Sequence, residues 1–176
     1  MVQKVFLIGY RGVGKSSVGH ALSRVLGWDF WDLDERIVAE QGVSIKEIVK
    51  GRGWRYFRER ERDALAEAAD QARNLVVACG GGAVMHDAVW PLIKENAVVV
   101  WLKAGIETIL RRLEADPATE ASRPALAAGW SLEDEIKETL CTRTPLYRRW
   151  ADISIDTDGR SPDEIAREIM NKIIRV

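Results

Sequence analysis

The sequence predicts a three-layer α/β sandwich, in which a parallel sheet lies between two layers of helices. Three observations predict it. Short apolar, β-branched runs alternate with segments of helical spacing along the chain. The first run passes directly into a glycine-rich loop that opens a helix. The length of 176 residues suffices for one core without disulfide staples.

The expected strands are residues 5–8, 30–33, 75–78, 98–102 and 153–155. Each is short, apolar and bounded by turn residues. The expected helices are 16–26, 55–69, 106–113 and 132–147, where apolar residues recur near helical spacing. A last helix opens at Ser161-Pro162-Asp163-Glu164, a capping box with proline at the first helical position. Residues 116–129 hold Pro, Ala, Ser and Gly without a firm apolar period. A loop of that length in a compact domain is a lid or a disordered segment. One domain is expected over 1–176, with a mobile lid at about 116–129.

Lys and Arg number 26 against 27 Asp and Glu, so the net charge is near zero. This argues against nucleic-acid or membrane-surface binding as the main task. The N-terminal apolar run is too short for a signal peptide, and no run reaches the length of a membrane span. A cytoplasmic enzyme or switch is expected. Cys79 and Cys141 read as buried free thiols, and His20 and His86, lacking ligand spacing, as surface or packing residues.

Gly9, Gly14, Lys15 and Ser16 fit G-x-x-x-x-G-K-[ST]. Glycines let successive backbone N–H groups turn toward one anion, and the helix N-terminus adds its partial charge. Lys15 is expected on the β- and γ-phosphates and the Ser16 hydroxyl on Mg²⁺. Gly12, Val13, Gly14, Lys15, Ser16 and Ser17 are the expected nucleotide contacts of the loop.

A guanine-specific switch and a phosphotransferase both use such a loop. The switch carries an N-K-x-D base-reading signature, and the one Asn-Lys pair, Asn171-Lys172, is followed by two isoleucines. The phosphotransferase is favoured, and an acceptor site must then exist. Asp32 and Asp34 lie at the end of the second expected strand, where residues two apart share a face. One carboxylate can position hydrated Mg²⁺ and the other can meet the acceptor. We assign Asp32 to the metal, through water, and Asp34 to the acceptor hydroxyl. The plainer alternative is an acidic turn that caps the next helix.

Phe57, Glu61, Ala64 and Ala68 fall on one helical face, so Glu61 sits on the apolar side. Arg58, three residues earlier, is its natural partner. Arg55, Arg60 and Arg62 can stay solvated. Gly80, Gly81 and Gly82 follow the third strand at the edge where open α/β sheets bind ligands. Arg143 interrupts the stripe Ile136, Leu140, Tyr147, just before the helix-disturbing Pro145. It either aims inward or snorkels to the surface. Two inward arginines with Asp34 describe a small hydroxylated acid.

Together these residues resemble the shikimate kinase family over almost the whole chain. The resemblance rests on Gly9 to Ser16, Asp32 and Asp34, Phe57-Arg58 with Glu61, Gly80 to Gly82, Arg123-Pro124 and "LCTRTPLY" ending at Tyr147. It implies a five-stranded parallel sheet of the nucleoside-monophosphate-kinase kind. It also implies transfer of phosphate from ATP to shikimate, in chorismate and aromatic amino-acid synthesis, with Mg²⁺ and as a monomer. Lys15, Asp34 and Arg123 would be catalytic, Arg123 closing from the lid onto the phosphates. Asp34, Arg58, Gly80, Gly81, Gly82 and Arg143 would contact shikimate, within a helical region at about 33–62. Arg112 would pack on adenine, with the turn at Arg160 and Pro162 on its other side. Trp54, Cys79 and Ala125 depart from the usual pattern of Glu, Thr or Ser, and Leu. Another small-acid kinase, such as a gluconate kinase, would need the same carboxylate clamp.

Overall fold

Strand β1 (Lys4–Ile8) is buried at every residue, as a central parallel strand covered on both faces must be. Alternate side chains enter opposite faces of the sheet. Phe6 and Ile8 share one core with Leu65, Trp90 and Tyr147. Val5 and Leu7 share the other with Leu22, Ile109 and Ile165. The structure is a computed structural model that describes residues 3–116 and 130–174.

After β1 come α1 (Lys15–Leu26), β2 (Asp29–Asp32), α2 (Leu33–Gln41), α3 (Ile45–Asp70) and β3 (Leu75–Ala78). A 3-10 turn at Ala83–Met85 leads to α4 (Trp90–Lys94), β4 (Ala97–Lys103) and α5 (Ile106–Glu114). The chain closes with α6 (Leu132–Trp150), β5 (Ile153–Asp156) and α7 (Pro162–Ile173). The sheet has five strands in the order β2-β3-β1-β4-β5, and every pairing is parallel. From β1 the chain moves outward to β2, returns through β3, and crosses β1 to reach β4. The reversal beside β1 opens a crevice at the carboxyl edge of the strands. The fold class is the one the sequence predicts.

The second strand ends one residue earlier than its apolar pattern suggests. Asp32 is the N-cap of α2, its carboxylate accepting from the backbone N–H groups of Asp34 and Glu35, so Leu33 is already helical. The shared strand face expected for Asp32 and Asp34 therefore does not exist. The plainer reading of a capping turn holds for Asp32. Helix α6 runs through Pro145 and continues past Tyr147 to Trp150, three residues beyond expectation. The short α4 has no full amphipathic period and was not expected. Cys79 is buried as expected, but Cys141 is exposed, because it lies off the apolar stripe of α6. The expected lid, with Arg123 and Ala125, lies outside the described residues except for Asp116.

Helix α3 begins with a complete capping box between Ser44 and Glu47, and it bends at Gly53. There φ is 81° and ψ is 166°, a region that only glycine occupies without strain. Nothing lies within 4 Å of a Cβ built at Gly53, so torsion alone demands glycine. The bend separates the start of α3 from the part that carries Arg58 and Glu61. Gly53→Ala should destabilise the protein by about 1–3 kcal/mol, lowering Tm by several degrees. An unchanged Tm by calorimetry would contradict the strained geometry.

Candidate active site

The loop from Gly9 to Ser16 joins β1 to α1, with Gly14 in a left-handed turn as the N-cap of α1. The Lys15 ammonium lies across the loop and donates to the carbonyls of Gly9 and Tyr10, both at 2.9 Å. The Ser16 hydroxyl donates to Asp32 Oδ2 at 2.5 Å. Asp32 thus serves two groups, because its other oxygen, Oδ1, caps α2. Gly12, Gly14, Lys15, Ser16, Ser17 and Asp32 line one open groove, and Val13 beside them is buried. Arg112 closes the far side of this loop. It donates to Gly12 O at 3.2 Å and to Thr157 Oγ1 and O at 3.1 and 2.9 Å. That ties the loop to the β5–α7 turn. Arg160, on that turn, reaches Asp156 O at 3.2 Å and pairs with Glu168 at 2.7 Å. It lines a separate hollow on α7, not the groove.

A second cavity lies against the groove. Its walls are Tyr10, Ile45, Trp54, Phe57, Gly81, Gly82 and the side chains of Arg11, Asp34, Arg58, Glu61 and Arg143. Asp34 and Arg11 line both spaces and so mark their junction. Asp34 reaches that junction from the first turn of α2, not from a strand.

Arg58 Nη1 donates to Glu61 Oε2 at 2.6 Å, and the Glu61 side chain is 1% exposed. The expected helical face and the expected pair are both present. His86 Nε2 meets the same oxygen at 3.0 Å. From the sequence His86 is expected as a surface or packing residue, and here its ring is only 12% exposed. It lies in the turn after Gly82, where no period shows its direction. The glycines make room for these groups. A Cβ on Gly82 would lie 2.0 Å from Arg58 Nη1, and one on Gly80 would lie 2.4 Å from Glu61 Oε1. Arg143 does not snorkel. Its Nη1 donates to Gly81 O at 3.0 Å, beside the Tyr147 hydroxyl at 2.8 Å. Arg55 and Arg62 are solvated as expected, whereas Arg60 stacks over Tyr56, 5.4 Å from the ring centre.

Arg11 was also missed, because it occupies a variable position of the loop motif. It pairs with buried Glu135 of α6 at 2.5 Å. Glu135 precedes Ile136 on the buried face of α6, and a buried acid there needs a cation, as Glu61 does. That signal was present in the sequence. Burial pushes the nearby Tyr10 hydroxyl up, against the charge of Arg11. Burial also pushes the Cys79 thiol well up, which leaves it an inert wall of the groove.

The shikimate kinase family model matches residues 11–174. The chain belongs to the shikimate kinase family. Relatives in the family include the shikimate kinase of Syntrophus aciditrophicus, 41% identical over 97% of this chain and 90% of its own. That of Moorella thermoacetica is 43% identical over 96% and 93%. A shikimate kinase from Acinetobacter baumannii, solved in complex with shikimate, superimposes with a TM-score of 0.90 at 31% identity, covering 99% of this chain and 94% of that one. A gluconokinase from Sinorhizobium meliloti superimposes at 0.63 with 18% identity over 98% and 91%, which shows the shared fold alone. Among the described residues no cluster of three or more His, Cys, Asp or Glu could hold a metal. No helix among them is long and apolar enough to cross a membrane.

Burial pushes the Glu61 carboxyl up, but the His86 hydrogen bond and the Arg58 charge outweigh it and hold it below its ordinary 4.5. A lowered folded-state value means that the unfolded chain binds the proton first. Its contribution to stability is therefore complete above 4.5 and is lost as pH falls through the folded-state value. Urea unfolding of the wild type should weaken from about pH 5 to about pH 3 more steeply than that of Glu61→Gln. Equal acid sensitivity of the two proteins would contradict a charged Glu61.

Proposed function

We infer that this chain transfers the γ-phosphoryl group of ATP to the 3-hydroxyl of shikimate, giving ADP and shikimate 3-phosphate, a step of aromatic amino-acid synthesis. The observation that carries the site assignment is the junction. Asp34 lines both the phosphate groove and a cavity walled by Arg58 and Arg143. A small acid held there by two guanidinium groups would present a hydroxyl to Asp34 at the mouth of the groove.

The residue roles follow from this placement. Arg58 and Arg143 take the acceptor carboxylate, Arg58 oriented by Glu61 and Arg143 by the Gly81 carbonyl. Asp34 accepts from the hydroxyl and takes its proton as the bond to phosphorus forms. A loose transition state asks for little base strength, so the placement of Asp34 matters more than its affinity for protons. Lys15 exchanges the Gly9 and Tyr10 carbonyls for β- and γ-phosphate oxygens, countering the charge that develops there. Arg112 is assigned to flank the base, a role supported by its position between the phosphate loop and the β5–α7 turn. Arg123, outside the described residues, is assigned to close over the phosphates and exclude water.

Ser16 and Asp32 form a pair of oxygen donors at the groove, the donor chemistry that suits Mg²⁺. When bound, that ion would neutralise phosphate charge, with Ser16 as ligand and Asp32 acting through water. We extend the reading to a cytoplasmic monomer, and the balanced charge supports the absence of nucleic-acid or membrane-surface partners.

The test is turnover with ATP and Mg²⁺ on shikimate, gluconate and nucleoside monophosphates. Shikimate alone should be phosphorylated, and equal turnover of gluconate would overturn the acceptor assignment. The carboxylates separate in a Mg²⁺ titration with saturating shikimate. Asp34→Asn should lower turnover at least about a hundredfold at every Mg²⁺ concentration. Asp32→Asn should mainly raise the Mg²⁺ needed. Rescue of Asp34→Asn by excess Mg²⁺ would reverse the assignments.

A further inference from the structure

Glu61 holds Arg58 in an uneven way. Carboxylate and guanidinium pair best as a fork, with two parallel hydrogen bonds. Here only Nη1 of Arg58 meets Glu61, and it meets Oε2. His86 Nε2 occupies the other side of that same oxygen at 3.0 Å. Oε1 is buried without a hydrogen-bond partner, facing Gly80, where a Cβ would lie 2.4 Å away. An ionised carboxylate only accepts, so Nε2 carries the proton that His86 contributes. The His86 hydrogen bond also lowers the pKa of Glu61, alongside the charge of Arg58.

His86 is held on a rigid support. The Trp90 indole, fully buried, donates to the carbonyl of Ala83 at 3.0 Å and anchors the turn. The His86 backbone N–H donates to the same carbonyl at 3.2 Å, and its own carbonyl accepts from Val89 at 3.0 Å. Its ring is 12% exposed. Arg58 lies on a different element, the long helix α3, and its guanidinium rests 5.2 Å from the centre of the Trp54 ring. His86 thus connects the turn after the glycines to the helix that carries the cation.

We propose that His86 is a positioning residue for the acceptor, fixing the Glu61 carboxylate so that Arg58 is held through one nitrogen and keeps its remaining N–H groups for the acceptor carboxylate. Without His86 the Glu61 carboxylate is free to rotate into a fork with Arg58. Two donors would then be spent inside the protein instead of on the ligand. The inference rests on the reading of Arg58 given under the proposed function. It concerns binding of the acid, not the transfer of phosphate.

Four variants test it by steady-state kinetics. His86→Leu keeps bulk and removes the donor. It should raise KM for shikimate about threefold to thirtyfold, with kcat and KM for ATP within about twofold of wild type. His86→Gln can place an amide N–H near the position of Nε2 and should recover most of the loss. His86→Asn is too short to reach Glu61 and should not. In an Arg58→Ala background, His86→Leu should change KM by less than about twofold, because its effect passes through Arg58.

An unchanged KM in His86→Leu would overturn the proposal. So would a Gln variant no better than Asn, which would mean a packing role, or an undiminished effect without Arg58. If His86→Leu does not fold, the difference between Gln and Asn still decides. Arg58→Ala serves as the separate control. If it leaves KM for shikimate unchanged, the reading of Arg58 fails. If it raises KM while His86→Leu does not, only the His86 inference fails.

Discussion

Glu61 carries a negative charge into a position only 1% exposed, and the cavity beside the phosphate-loop groove is arranged around that fact. A buried carboxylate without donors is unstable, so Arg58 and His86 converge on it from two elements. Losing both donors would leave that carboxylate buried and unpaired, a cost of several kcal/mol. Room for this cluster comes from glycine at 80 and 82, where any side chain would collide with Glu61 or Arg58. The Glu61–His86 contact joins α3, beyond its bend at Gly53, to the turn after the glycines. A charge placed for one purpose therefore dictates the residues of three separate segments.

The sheet supplies the other constraint. Five parallel strands bring the ends of β1, β2 and β3 to one edge. The loop Gly9–Ser16 leaves β1, Asp32 ends β2, and Gly80 to Gly82 follow β3, so the groove and the cavity walled by Arg58 and Arg143 are neighbours by topology. The Ser16–Asp32 contact stitches the first two, and the Arg11–Glu135 pair ties the loop to α6, which carries Arg143. The two cavities meet at Asp34 because α2 starts where the strand stops.

What could be read from the sequence was what lies within one element. The loop spacing, the helical phase of Arg58 and Glu61, and the stripe interrupted by Arg143 all follow from local periodicity. The alternation of apolar runs with helices was enough for the layered sheet. Pairings between elements were harder to see. Arg11 sits at a loop position with no period, and its partner is 124 residues away. His86 lies in an irregular turn. Asp34 does line the crevice, but from the first turn of α2 and not from a strand face. Apolar and acidic residues alternate through "FWDLD" as in a strand, but the capping strength of Asp32 ends the strand first. Cys141 was misplaced because one residue of helical phase separates the buried stripe from the solvent.

Recognition of a carboxylate by Arg58 and Arg143 is the claim on which the acceptor assignment depends. Both guanidinium groups are half-buried and already oriented by protein acceptors, so their remaining donors gain most from a charged, planar partner. The most direct measurement compares shikimate with its methyl ester, which keeps the ring and every hydroxyl but removes the charge. The account predicts a kcat/KM for the ester at least about a hundredfold lower, with KM for ATP unchanged. Equal kcat/KM for acid and ester would contradict it.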